Sequence, residues 1–303
     1  MTTPVDRGPR TALVLPGQGS QRAGAGAPWR RMPAWSLVEQ ASDLLDRDCA
    51  HLLLTADAEE LRATAQAQLA TYLVSLLVWR SLPPLDVVVV AGHSLGELTA
   101  LVVAGVLTPE AGMLLVAERG AAMQQAADSA PGAMAAVLGL SDDVVAEVCA
   151  GVGGVWPANS NAPAHVVISG TVDGVAMAGV ALREAGARRV LPLPVGGAFH
   201  TPLMASARSR LEVVLRAAAY APPRVPVLSA VTAREHGPDV AGLLSQQLTA
   251  PVRWREVLLA LPGRGAERVV ELGSGGVLAG LVKRTLPGMA VLSVAAPEDL
   301  ARL

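Results

Sequence analysis

Ser94 stands between Gly92 and Gly96 in the run VVVVAGHSLGELTALVVAGVL, residues 87–107. Residues 87–91 are too short and too β-branched for anything but a buried strand, while Leu95, Leu98, Val102 and Val103 recur at helical spacing. Strand, bend and helix in this order make the G-x-S-x-G setting, in which missing side chains let the two elements pack closely and the hydroxyl projects from the tip. The helix aims free N–H groups at that tip, where they stabilise developing negative charge. The spacing therefore suits a nucleophile; a small residue in a tight turn is the plainer alternative.

A serine hydroxyl is a weak nucleophile until a base takes its proton, and the chain offers five histidines. His93 adjoins Ser94 but is expected to project away from it. His51, His165 and His236 fall among loops or element ends and read as solvated or structural. His200 follows Gly196-Gly197-Ala198-Phe199, where the chain crosses between two structural units and faces a cleft, and it is the preferred base. Arg119 shares an apolar helix face with Leu115 and Met123. An unpaired charge there costs several kcal/mol, and Glu110 and Glu118 lie on other sides, so a substrate carboxylate is an attractive partner. A snorkelling arginine or a structural ion pair is the competing reading. Gln18 lies in the glycine-rich loop 16–21, PGQGSQ, after a short strand. Its backbone N–H, with that of Leu95, could form a two-donor oxyanion hole, worth roughly 3 kcal/mol per donor in an acyl-transfer transition state.

The elements that must position these groups alternate in type. A strand at 11–15, an apolar helix at 69–79, the strand before Ser94, and a helix capped by Thr108 with Pro109 first and running to about 127 give an α/β pattern. Between residues 132 and 195 the order becomes βαββαβ, with strands at 155–158 and 166–169 around a turn at 159–163; that is a ferredoxin-like unit. A long helix over 201–219, a strand at 227–231, and a strand, glycine turn and helix from 269 onward return to the larger unit. The expected domains are 1–128 with 197–303, and 129–196.

Bulk properties narrow the function classes. Half the 303 residues are hydrophobic (51%), only 3% are aromatic, and the core is expected to be aliphatic. A net charge of −2 gives no support for wholesale binding to nucleic acid or an anionic membrane. Cys49 and Cys149 match no metal or redox spacing, so no metal is expected and a cytoplasmic, reducing compartment is. No apolar run is long enough to span a membrane. Neither the loop at 16–21 nor Gly273-Ser274-Gly275-Gly276 completes G-x-G-x-x-G, so nucleotide fingerprints are absent.

Taken together, PGQGSQ at 16–21, GHSLGE at 92–97, Arg119 in ERG and GAFH at 197–200 resemble the malonyl-CoA:acyl carrier protein transacylase family, which includes polyketide synthase acyltransferases. The resemblance spans nearly the whole chain and implies an α/β-hydrolase-like large domain with a parallel sheet plus an inserted ferredoxin-like small domain. It implies Ser94 as nucleophile, His200 as general base and acid, Arg119 as the clamp for the malonyl carboxylate, and Gln18 and Leu95 as oxyanion donors. Gln247, in QQLTAPVRW, matches the glutamine whose main-chain carbonyl orients the histidine in place of an aspartate. Met123 and Phe199 are expected to line the acyl pocket, and the AFH ending resembles that of malonyl users. The implied substrates are malonyl-CoA and an acyl carrier protein, with no cofactor, for a monomeric enzyme of fatty-acid or polyketide synthesis. Arg188, Arg189, Lys283 and Arg284 are candidates for guiding the acidic carrier; solvated strand-end and helix-end cations are the alternative. A polyketide acyltransferase with another extender unit, a serine hydrolase or thioesterase, and a carrier-binding module without activity are the other classes.

Overall fold

The computed structural model describes residues 8–303. Among the described residues nine strands form two sheets: β1 (Thr11–Leu15), β2 (Val87–Gly92), β3 (Gly132–Leu138), β4 (Val155–Ala162), β5 (His165–Thr171), β6 (Arg189–Pro192), β7 (Val227–Leu228), β8 (Arg268–Leu272) and β9 (Ala290–Val294). One sheet is parallel with order β7-β2-β1-β8-β9, and the other is antiparallel with order β4-β5-β3-β6. All four strands of the antiparallel sheet come from one stretch of chain, with strands of the parallel sheet on either side of it in sequence.

The parallel sheet is covered on both faces, which accounts for its nearly continuous apolar strands. Leu13 and Leu15 of β1 and Val90 of β2 join the core beneath the helices Thr64–Ser81 and Pro109–Ser129. Ala12 and Val14 of β1, with Val89 and Ala91 of β2, join Trp254, Leu258, Leu278 and Leu281 on the opposite face. Alternate residues of one strand thus serve two separate cores.

Several boundaries differ from the sequence expectations for identifiable reasons. Strand β4 continues through the segment read as a turn, because Asn159 and Ser160 pair with Val167 and Val166; the reversal is confined to the two residues between β4 and β5. The helix expected over 201–219 is a single turn, Pro202–Met204, followed by Ala205–Ala217; Thr201 Oγ1 accepts from the Leu203 N–H and starts that turn separately. Strand β7 ends at Leu228 instead of 231, since the Ala230 N–H goes to the Glu97 carboxylate and the Val231 N–H to Ser229 Oγ. The apolar helix begins at Thr64, ahead of residue 69, and Thr108 caps its helix as expected, its Oγ1 accepting from the Ala111 N–H.

The bend at Ser94 depends on two glycines. A Cβ on Gly92 would overlap the Gly96 carbonyl group and the Glu97 amide, and one on Gly96 would overlap the Leu15 carbonyl. Both obstacles are backbone, which cannot rotate away. Gly92→Ala is therefore expected to destabilise the fold by about 3 kcal/mol, the upper part of the overpacking range, read as a lower urea midpoint at unchanged m-value.

Candidate active site

Ser94 sits at the tip of β2 with a left-handed backbone, φ +53°. The helix Gly96–Val103 starts directly after it. The Gly96 and Glu97 N–H groups turn back to the His93 and Ser94 carbonyls, and the amide of Leu95 is not among those engaged in the bend. His200 also has positive φ, +62°. Outlying backbone at both groups fits strain held in place by the surrounding packing.

The side chains converge within hydrogen-bonding distance. His200 Nε2 is 2.8 Å from Ser94 Oγ, and His200 Nδ1 is 2.9 Å from the Gln247 main-chain carbonyl. That carbonyl can only accept, so Nδ1 carries the proton and Nε2 faces the serine with its lone pair. Burial, and after it the cation of Arg119, pushes the His200 pKa down to about 3. The imidazole is therefore neutral and able to take a proton throughout the physiological range. Since Arg119 disfavours the imidazolium, Arg119→Ala should raise this pKa. The acid limb of the pH profile of Ser94 acylation by a neutral acyl thioester should then move to higher pH, measured by stopped-flow release of CoA.

Arg119 is buried, with 2% of its surface exposed. Its Nη2 donates to Ser94 Oγ and to Gln247 Oε1, each at 3.0 Å, and its Nη1 donates to Gln68 Oε1 at 2.5 Å. Burial lowers its pKa to about 10, with the Glu97 charge acting in the opposite direction, so the guanidinium stays charged at neutral pH. Neither Glu110 nor Glu118 pairs with it; Glu118 binds Arg210.

These groups line a cavity of about 300 Å³ between the two sheets. Gln18, Met123 and Phe199 lie on its wall with Ser94, Arg119 and His200. Leu95 is fully buried behind it. Among the basic candidates, Arg284 lies 3.4 Å from His165, which faces the cavity. Arg189 shares a row of the antiparallel sheet with Leu138 and His165, two strands away, and Arg188 and Lys283 are exposed nearby in sequence. Those four cations do not line the cavity itself.

Some contributors escaped sequence reading. Gln68 was legible only as a polar residue in a helix that is buried on nearly every side. His93 does not simply turn away from the site: it borders the cavity, with Nε2 2.9 Å from Asn161 Oδ1 and its ring edge-on to Trp254. Burial lowers its pKa. His236 lies between elements, and its role is structural: its side chain is only 5% exposed, with Nε2 2.6 Å from Glu97. The Gln247 side chain, beyond its carbonyl, joins Arg119 to Glu97. Among the described residues no group of three or more His, Cys, Asp or Glu is placed to hold a metal ion, and no helix is long and apolar enough to cross a membrane.

A family model for the acyl transferase domain matches residues 12–297. The chain belongs to the acyl transferase family. This acyl transferase is 37% identical over 301 residues to the malonyl CoA-acyl carrier protein transacylase of Bacillus subtilis, covering 96% of this chain and 95% of that one. The crystal structure of a malonyl-CoA:acyl carrier protein transacylase from Xanthomonas oryzae matches it with a TM-score of 0.92 at 38% identity, over 97% of each chain. A malonyl-transacylase solved in complex with its type II polyketide synthase acyl carrier protein matches with a TM-score of 0.92 at 35% identity, over 96% of this chain and 98% of that one.

Proposed function

We propose that this acyltransferase moves a malonyl group from malonyl-CoA to the phosphopantetheine thiol of an acyl carrier protein, in fatty-acid or polyketide synthesis. The observation that carries this reading is a buried guanidinium one hydrogen bond from a serine that is itself one hydrogen bond from a neutral imidazole. A cation so close to the reacting oxygen favours an acyl group with its own carboxylate only a carbon or two from the thioester, as malonyl has.

In the first half-reaction Ser94 Oγ attacks the thioester carbonyl while His200 Nε2 takes its proton. The oxyanion is held by the backbone N–H groups of Gln18 and Leu95. Collapse breaks the C–S bond, and His200 returns the proton to the departing CoA sulfur. The second half-reaction reverses these roles: His200 deprotonates the carrier thiol, sulfur attacks the Ser94 ester, and the proton goes back to Oγ. Gln247 fixes the tautomer through its carbonyl, as a carboxylate does in a triad. Met123 and Phe199 bound the acyl pocket. No cofactor takes part, and the enzyme works as a cytoplasmic monomer.

The test is intact mass after incubation with malonyl-CoA. One malonyl adduct on Ser94, absent from Ser94→Ala and discharged by holo carrier protein, is expected. No adduct, or release as free malonate in the presence of carrier, overturns the reading.

Carrier docking is assigned to Arg188, Arg189, Lys283 and Arg284, of which Arg284 reaches His165 on the cavity wall. The row placing Arg189 beside Leu138 and His165, with Arg284 against His165, supports a positive rim that meets an acidic partner. Reversing Arg188 and Arg189 to Glu should raise the KM for the carrier several-fold, while acyl-enzyme formation from malonyl-CoA stays within about twofold. Steady-state kinetics with varied carrier reads both.

A further inference from the structure

The two arms that hold the Arg119 guanidinium end differently. On one side Nη1 meets Gln68 Oε1, whose amide nitrogen lies 3.3 Å from the sulfur of Met123, a neutral end point. On the other, Nη2 meets Gln247 Oε1, and the Gln247 amide nitrogen donates to Glu97 Oε2 at 2.6 Å. Glu97 lies three residues past the serine in the first turn of the elbow helix and is fully buried. Its carboxylate accepts three hydrogen bonds: from Gln247, from the Ala230 N–H at 3.0 Å, and from His236 Nε2 at 2.6 Å. Nothing in acyl transfer requires a carboxylate at this point, since it touches neither Ser94 Oγ nor the cavity wall.

We propose that Glu97 is a positioning residue that acts through the Gln247 side chain to hold Arg119 in the orientation that reads the acyl carboxylate, with His236 anchoring its second oxygen. An amide can present either its oxygen or its nitrogen to a neighbour, and only the oxygen can accept from a guanidinium. The Gln247 nitrogen is held away from Arg119 by two acceptors, Glu97 Oε2 and the Ser94 carbonyl at 3.2 Å. The first of these is charged and shorter, hence the stronger of the two. It therefore decides which face of the amide Arg119 meets.

His236 makes the arrangement hard to relax. Its Nδ1 is buried with no hydrogen-bond partner among the described residues. If position 97 carried an amide that turned its nitrogen toward His236, the imidazole would have to shift its proton to Nδ1, where it would be buried and unpaired. If that amide turned its nitrogen toward Gln247 instead, the Ala230 N–H would lose its acceptor, and Gln247 would turn its own nitrogen toward Arg119. Either outcome disturbs the relay, while the link between His200 and the Gln247 main-chain carbonyl does not pass through Glu97.

This proposal rests on the reading of Arg119 as the carboxylate clamp, and the experiment separates the two. Acyl-enzyme formation from malonyl-CoA and from acetyl-CoA is measured for the unmodified protein, Glu97→Gln, His236→Phe and Arg119→Ala. Labelling of Ser94 by a fluorophosphonate reports nucleophile reactivity. For Glu97→Gln the malonyl-to-acetyl ratio of kcat/KM should fall about tenfold, chiefly through the malonyl KM, with fluorophosphonate labelling within about twofold. His236→Phe keeps a ring in place but removes the donor to Oε1; it should shift the ratio the same way by about threefold, and serves if Glu97→Gln does not fold. Parallel loss with both thioesters, or an unchanged ratio, in the folded variants overturns the proposal. An unchanged ratio in Arg119→Ala instead overturns the clamp, whatever Glu97 does.

Discussion

His200→Ala is expected to slow acylation of Ser94 by malonyl-CoA by about 10³-fold, within the 10²- to 10⁴-fold range of general base catalysis. The hydroxyl would keep its place at the tip of β2, because its backbone is fixed by the close approach of Gly92 and Gly96 rather than by the imidazole. What disappears is the lone pair 2.8 Å away that takes the proton. Catalysis above the uncatalysed rate should persist, because the oxyanion donors and the cavity remain. Rapid-quench measurement of CoA release checks this, with the carrier left out so that only the first half-reaction is seen. A variant slowed less than tenfold would show that another group takes the proton, and His93, the nearest histidine in sequence, has its Nε2 committed to Asn161.

Arg119→Ala is expected to lower kcat/KM for malonyl-CoA by about 10- to 100-fold, the loss of a charge-assisted pair on the order of 1.5 to 3 kcal/mol. Acetyl-CoA, which brings no carboxylate to the guanidinium, should react at an unchanged or higher rate. Two effects act on that neutral substrate. Removing Arg119 strips Gln68 and Gln247 of a donor, which costs stability. It also raises the His200 pKa toward its ordinary value by lifting the second-largest influence upon it, so His200 becomes the stronger base. Competition between the two thioesters for one enzyme sample, read by intact mass, gives the ratio directly. Equal loss of both would reject the clamp.

How far the site could be read in advance depended on how local its causes are. The elbow was legible because strand, glycines and helix occupy one run of residues, and the clash that forbids a Cβ at Gly92 arises within five positions of it. Arg119 was legible as a charge on an apolar face, but its partners were not. Gln68, Ser94 and Gln247 come from three other parts of the chain. Asn159, Ser160 and Asn161 favour a turn locally, yet pairing with β5 draws them into β4, and only Pro163 of that segment stays in the reversal. Likewise Val227–Val231 has strand composition throughout, yet β7 stops at Leu228 because a carboxylate from another element claims the Ala230 N–H.

By itself the sequence determined the α/β alternation, the βαββαβ unit, the bend at Ser94 and the small set of residues able to do chemistry, since each follows from periodicity or glycine placement over a few neighbouring positions. Only the tertiary structure decided which groups meet: a serine and a histidine 106 positions apart, an arginine held between two glutamines, and a buried glutamate behind one of them. The reason is that hydrogen bonds and desolvation act over a few ångströms in space, and a sequence fixes such distances only once its strands have chosen their neighbours.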